Sequence, residues 1–189
     1  LKKAGSVWKL IHFGVVQLPE DVVMNREISN SVAVVESIKN LVNQIKLKNR
    51  SICTSISGSS VIIKRMSLEV PHLKEMQDQV FWEAEQYIPV PIDDLYIDFT
   101  IINKGAKTMD ILAVAIPKKI IESYVKLSKI LSLEPVVMET TTGATNRLFR
   151  YIDQHNIPTV LIDFGSVATD ISIYDQHLAV TGTVTGGGD

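Results

Sequence analysis

The chain has 189 residues, 46% of them hydrophobic, with a formal net charge of -2. That is enough apolar material for one large domain or two subdomains, and the near-balance of 19 basic and 21 acidic residues leaves no basic face of the kind that displaces counterions from nucleic acid. No apolar run reaches the roughly 18 residues of a membrane span, so direct membrane insertion is not expected. In chain order, "SVWKLIHFGVVQLP" is rich in β-branched and aromatic residues and ends at Pro19, which predicts a strand and its exit turn. In the segment after it, Val34, Val35, Ile38, Leu41, Val42 and Ile45 recur at helical spacing, with Ser29, Asn30 or Ser31 available as N-cap. "SICTSIS" and "SVIIKRMSL" are strand-like runs around Gly58, Ser59 and Ser60 and predict a hairpin or sharp reversal.

Beyond Pro71 the period changes. Leu73, Met76, Val80, Ala84, Tyr87 and Ile88 predict one helical face, ended by Pro89. "DLYIDFTII" and "MDILAVAI" predict two strands around the turn "NKGAK", followed by the helix "KKIIESYVKLSKIL" and the strand "LEPVVME". "ILAVAI" and "PTVLIDF" are continuous apolar runs, which favour buried sheets in a layered α/β architecture. Boundaries are expected near residue 50, near Leu133 and near Pro158. The start at Leu1 and the closing glycines make the sequence read as a piece of a larger protein.

Cys53, the only cysteine, excludes an intrachain disulfide, and His12, His72, His155 and His177 lack a short metal-ligand spacing. The residues that point to chemistry lie at the end. In "VLIDFGSVATDISIYDQHLAVTG" a buried-type strand leads into Asp163, Gly165 and Ser166 and then a second alternating strand. A Gly-Ser hairpin tip exposes backbone N–H groups to an anion, and Asp163 at the strand end suits a hydrated divalent cation. The plain alternative is a β-turn beside an exposed aspartate. Gly186 and Gly187 form a second cluster after the next strand. Glu139 in "VVMETTTGATNRL" falls at a strand-to-helix turn, where a carboxylate also complements the helix dipole.

Two glycine-bearing turns around a strand pair resemble the second phosphate motif of the actin, Hsp70 and sugar-kinase ATPase superfamily, and the fold this implies is a partial actin-like (ribonuclease H-like) α/β fold with an inserted α+β subdomain. By that resemblance Asp163, Gly165, Ser166 and Thr169 match the hairpin motif that holds ATP phosphates, with Asp163 at the water shell of Mg2+. Gly186 and Gly187 match the later glycine pair, and Glu139 takes the place that positions the attacking water. The superfamily's first phosphate loop would precede Leu1 and the adenine site would follow Asp189, so weak ATP binding or none is expected of this segment alone.

"QVFWEAEQYIPVPIDDLYIDFTII" is similar to the hallmark segment of the PilM family of type IV pilus assembly, relatives of the division protein FtsA, and the resemblance extends over nearly the whole chain. It implies a cytoplasmic ATP-binding scaffold, at most a slow ATPase, held at the inner membrane through partners. It also implies docking of the N-terminal peptide of a PilN-like membrane protein in a groove beside the inserted subdomain. The division it implies is 1–50 for the first subdomain, 51–132 for the insertion, 133–157 for the return and 158–189 for the start of the second subdomain. A GspL-like secretion scaffold without nucleotide and a small-molecule kinase of the same superfamily are the alternatives. Trp82 is either a second buried edge or an exposed anchor.

Overall fold

The computed structural model describes residues 1–5, 7–24, 27–47, 49–56, 61–69, 75–152, 157–165, 168–175 and 177–186. The chain divides into two compact units, Leu1–Cys53 with Glu122–Val137, and Thr54–Ile121 with Met138–Asp189.

The first unit begins with β1 (Lys2–Ala4) paired antiparallel to β2 (Val7–Lys9) and a second small pair, β3 (Val23–Met24) with β4 (Glu27–Ile28). The strand expected over "SVWKLIHFGVVQLP" is reduced to β2, and residues 10–19 carry no strand. No other strand among the described residues offers that stretch a ladder partner, and its Phe13 and Val15 are exposed. Gly14 lies so close to the following helix that a Cβ would sit 2.4 Å from Leu41 Cδ1. That helix is α1 (Ser31–Gln44), and of the three candidate caps Asn30 is the one used, its side chain accepting from Val32 N and Ala33 N at 3.2 and 3.3 Å. Val34 and Val35 of α1 bury against Val22, Leu127 and Leu131.

The chain passes between the units within β5 (Ser51–Ile56), and β5 does not form the expected hairpin with β6 (Ile62–Glu69). Its partner is β9 (Glu134–Thr140), while β6 pairs with β8 (Thr108–Pro117). The reversal residues Gly58, Ser59 and Ser60 lie outside the described residues. After α2 (Met76–Glu85) and a short 3-10 turn at Ile92–Asp94, β7 (Leu95–Lys104) joins β8 in the predicted hairpin, giving a three-stranded antiparallel sheet in the order β6-β8-β7.

Period-two alternation splits this sheet cleanly. Met66, Leu68, Leu95, Met109, Ile111 and Ala113 face α2 and close a core with its Met76, Val80 and Ala84. The stripe predicted for α2 is right at Met76, Val80, Ala84 and Ile88, but the helix ends before Tyr87, whose ring is exposed with Lys64 Nζ 3.4 Å from its centroid. Leu73 lies outside the described residues, and Trp82 is 66% exposed, which decides in favour of a surface position.

Helix α3 (Lys118–Ile130) leads into β9, then α4 (Thr141–Ile152), and the chain ends in an antiparallel meander of β10 (Thr159–Phe164), β11 (Ala168–Asp175) and β12 (His177–Thr185). β10 is not buried on both faces as its apolar run suggests. Its Val160, Ile162 and Phe164 share an exposed face with Ile171, Ile173 and Val180, and nothing among the described residues packs there.

The opposite face holds Tyr174, which stacks on Phe149 of α4 at 6.4 Å and donates to Thr142 O at 3.1 Å. Burial pushes the Tyr174 phenol above its usual 10.0, and a hydrogen bond with Ser172 draws it partly back. The neutral phenol is therefore the form the fold favours. Its stabilisation is complete below pH 10 and is lost as pH rises through the raised native value. Denaturant titrations should show stability falling above pH 10, and Tyr174→Phe should flatten that fall while costing about 1 kcal/mol at neutral pH.

Candidate functional site

Both candidate regions lie within the second unit. The first is the β10–β11 hairpin. Asp163 stands opposite Asp170 in the register, so both carboxylates share one face of the meander, and Asp163 is exposed near the tip. Gly165 N donates to Ala168 O at 3.0 Å, and a Cβ on Gly165 would meet that same oxygen at 2.8 Å, so the turn needs glycine. Thr169 lies on the other face, where its hydroxyl donates to Gly186 O at 2.9 Å and ties the hairpin to the second glycine cluster. Ser166 and Gly187 lie outside the described residues.

Asp170 was not singled out by sequence. It accepts from Thr183 Oγ1 at 2.5 Å and lines, with Thr140, Thr142 and Thr181, a cavity of about 300 Å3. The signal was available in the alternation of Asp170, Ser172 and Tyr174 along β11, which marks one polar inward face. Among the described residues no group of three or more His, Cys, Asp or Glu could hold a metal ion. Asp163 with Asp170 opposite it falls short of a protein-only cage, and an exposed carboxylate of this kind suits contact with a cation through its water shell.

Glu139 does not line the cavity beside the hairpin. It forms an ion pair with Arg147 on the wall of a larger groove of about 650 Å3. The groove's floor is the face of β6-β8-β7 turned away from α2, where Ile63, Leu112, Val114 and Ile116 present an apolar surface edged by Asp98. Its other wall is α4. Gly143 is followed three and four residues on by Asn146 and Arg147, and these four and three residues on by Arg150, so one stripe of the helix looks into the groove while Thr142 and Phe149 meet Tyr174. Thr140 Oγ1 accepts from Gly143 N at 3.0 Å and fixes the start of α4. Sequence reasoning missed this wall, although "GATNRLFR" carries the stripe openly.

Comparison with known proteins follows the same outline. A family model described as type IV pilus assembly protein PilM matches residues 1–183. The solved PilM-PilN type IV pilus biogenesis complex superposes with a TM-score of 0.81 at 22% identity, covering 90% of this chain and 53% of that one. The cytoplasmic domain of EpsL, an inner membrane component of the type II secretion system of Vibrio cholerae, gives a TM-score of 0.56 at 14% identity over 82% of this chain and 57% of its own. The chain thus spans somewhat over half the length of these solved relatives. With a single family model reaching from its first residue to Thr183 and the fold shared over 90% of its length, the chain belongs to the type IV pilus assembly protein PilM family and has its mixed α/β, actin-like fold.

Proposed function

We propose that this chain carries the docking site for the cytoplasmic N-terminal peptide of a PilN-like inner-membrane protein, and that the site is the groove between the outer face of β6-β8-β7 and α4. The observation that supports it is the groove itself: about 650 Å3, with an apolar floor and a polar helical wall, in a family of which one solved structure is a complex with PilN. Such an arrangement buries apolar side chains while polar groups set orientation. Among the described residues no helix is long and apolar enough to cross a membrane, so placement at the cytoplasmic side of the inner membrane is proposed to come through that partner.

The same reading assigns ATP with Mg2+ to the hairpin. Supporting it are the exposed Asp163, the obligatory glycine at 165 and the Thr169–Gly186 tie. When bound, the metal would neutralise phosphate charge, with Asp163 orienting its water shell and the turn around Gly165 receiving phosphate oxygens. Ser166 and Gly187 are proposed alongside them, and Glu139 as the residue that positions water. Because Arg147 engages Glu139, hydrolysis is expected to be slow. Residues 51–132 are proposed as an inserted subdomain, on the ground that β6, β7, β8 and α2 close a core of their own. The boundaries 1–50, 133–157 and 158–189 follow from the same proposal.

A fluorescent peptide from the N-terminus of the PilN of the same organism, titrated into the full-length protein with and without Mg-ATP, tests the proposal. Saturable binding that changes with nucleotide is the expected result. No binding in either state would return a secretion-type scaffold without nucleotide, or a small-molecule kinase, to the front. In the same protein Asp163→Ala should weaken Mg-ATP binding by about tenfold or more, measured by calorimetry, while nucleotide binding without Mg2+ changes little.

A further inference from the structure

Helix α2 turns Met76, Val80 and Ala84 into the core. Trp82 is two residues from both Val80 and Ala84, about 200° round the helix from each, and it points away from the core with 66% of its surface exposed. Asp78 and Glu85, four residues before it and three after, are its neighbours on that outer face, and both are exposed. Among the described residues neither carboxylate has an ion-pair partner, and no ammonium or guanidinium lies over the Trp82 ring.

The charge on this segment has one sign. From Glu75 to Asp94 the sequence holds six acidic residues and no Lys, Arg or His, in a chain whose 21 acidic and 19 basic residues otherwise nearly balance. Glu83 and Glu85 fall in the last turn of α2, which carries no basic residue. Carboxylates there face the negative end of the helix dipole and weaken the helix. Local stability does not explain them, whereas a cation from outside the chain does. Just past the helix, Tyr87 already takes a cation from within the chain, with Lys64 Nζ 3.4 Å from its ring centroid.

We infer that the outer face of α2 is a second docking surface, and that its occupant is a basic segment of a partner protein, an arginine of which lies over the Trp82 ring between Asp78 and Glu85. Arginine fits better than lysine because its flat, weakly hydrated guanidinium stacks on an indole while its N–H groups still reach carboxylates. The acidic field repels an anionic lipid surface or a nucleic acid, so the cation is carried by protein. The inference goes beyond the PilN proposal and does not rest on it. The groove lies on the face of β6-β8-β7 turned away from α2, so both ligands can be held at once.

The test labels the full-length protein with fluorotryptophan, identifies the Trp82 signal by its loss in Trp82→Phe, and titrates it by fluorine NMR with a peptide of alternating glycine and arginine. A saturable shift of the Trp82 signal is expected, with the neutral citrulline counterpart of the peptide binding about tenfold more weakly. Asp78→Asn combined with Glu85→Gln should weaken the arginine peptide by about tenfold with the unfolding midpoint close to wild type. Saturating PilN peptide should leave the affinity for the arginine peptide unchanged. No shift of the Trp82 signal would overturn the inference, as would equal affinity for the arginine and citrulline peptides or for wild type and the double variant. Competition between the arginine and PilN peptides would overturn the separate surface. Self-association of the full-length protein that is lost in Trp82→Ala, followed by ultracentrifugation, would give the face to a second copy and overturn the basic partner.

Discussion

Ile111→Ala should destabilise the second unit by about 2–5 kcal/mol, the largest stability effect expected from a single substitution in this chain. Ile111 is 0% exposed and lies at the centre of the core that β6, β7 and β8 close with α2. Its register partners are Met66 and Ile101, and the core beyond it is packed by Val80 and Ala84 at 1% and 0% exposure. Alanine removes the outer carbons of the side chain and leaves a cavity that a sheet and helix fixed at both ends can only partly close. Urea unfolding followed by fluorescence should show a lower midpoint with an unchanged slope. Because Ile111 points away from the groove, the folded fraction should keep its affinity for the PilN peptide.

Three residues along the same strand the expectation reverses. Val114 points into the groove, opposite Asp98 on β7 and Ile63 on β6. Val114→Lys should leave stability within about 1 kcal/mol, since the new ammonium can meet Asp98 and its stem can lie over the apolar floor. A docked apolar segment would have to bury that charge or displace it. Burial of a poorly paired charge costs several kcal/mol, and about 2.7 kcal/mol already corresponds to a hundredfold loss of affinity. Titration of Val114→Lys should therefore show peptide binding weakened by about a hundredfold or more with the unfolding midpoint hardly moved. Equal affinity for Val114→Lys and wild type would move the docking site off this face. Together the two substitutions separate the faces of one strand, folding on one side and recognition on the other.

Much of this was legible in the sequence because local periodicity and local contacts coincide. The β7–β8 hairpin, the core stripe of α2 and a polar cap for α1 within Ser29–Ser31 each depend on residues close together in the chain. Pairing at a distance was not legible. β5 reads as the first half of a hairpin because Gly58, Ser59 and Ser60 follow it, yet its ladder is completed by β9 from far downstream. The opening segment has the composition of a strand, but composition cannot supply a neighbour, and without one residues 10–19 form no ladder.

The site divides along the same line. The residues Asp163, Gly165 and Thr169 lie close together in the sequence, so they could be proposed from it, together with the later glycine at 186. That Asp163 and Thr169 take opposite faces follows from strand alternation alone. The groove was invisible because its lining comes from β6, β7, β8, β9 and α4 among others, elements whose proximity only the fold supplies. Asn146 carries no mark in the sequence; its buried, unpaired oxygen is a property of packing.

Amide hydrogen exchange of the full-length protein, with and without saturating PilN peptide, addresses the central claim most directly. Docking in the groove predicts slowed exchange in β7 and in α4, whose residues line it, with the exposed face of β10–β12 unchanged. A bound peptide that protects only other segments would contradict it.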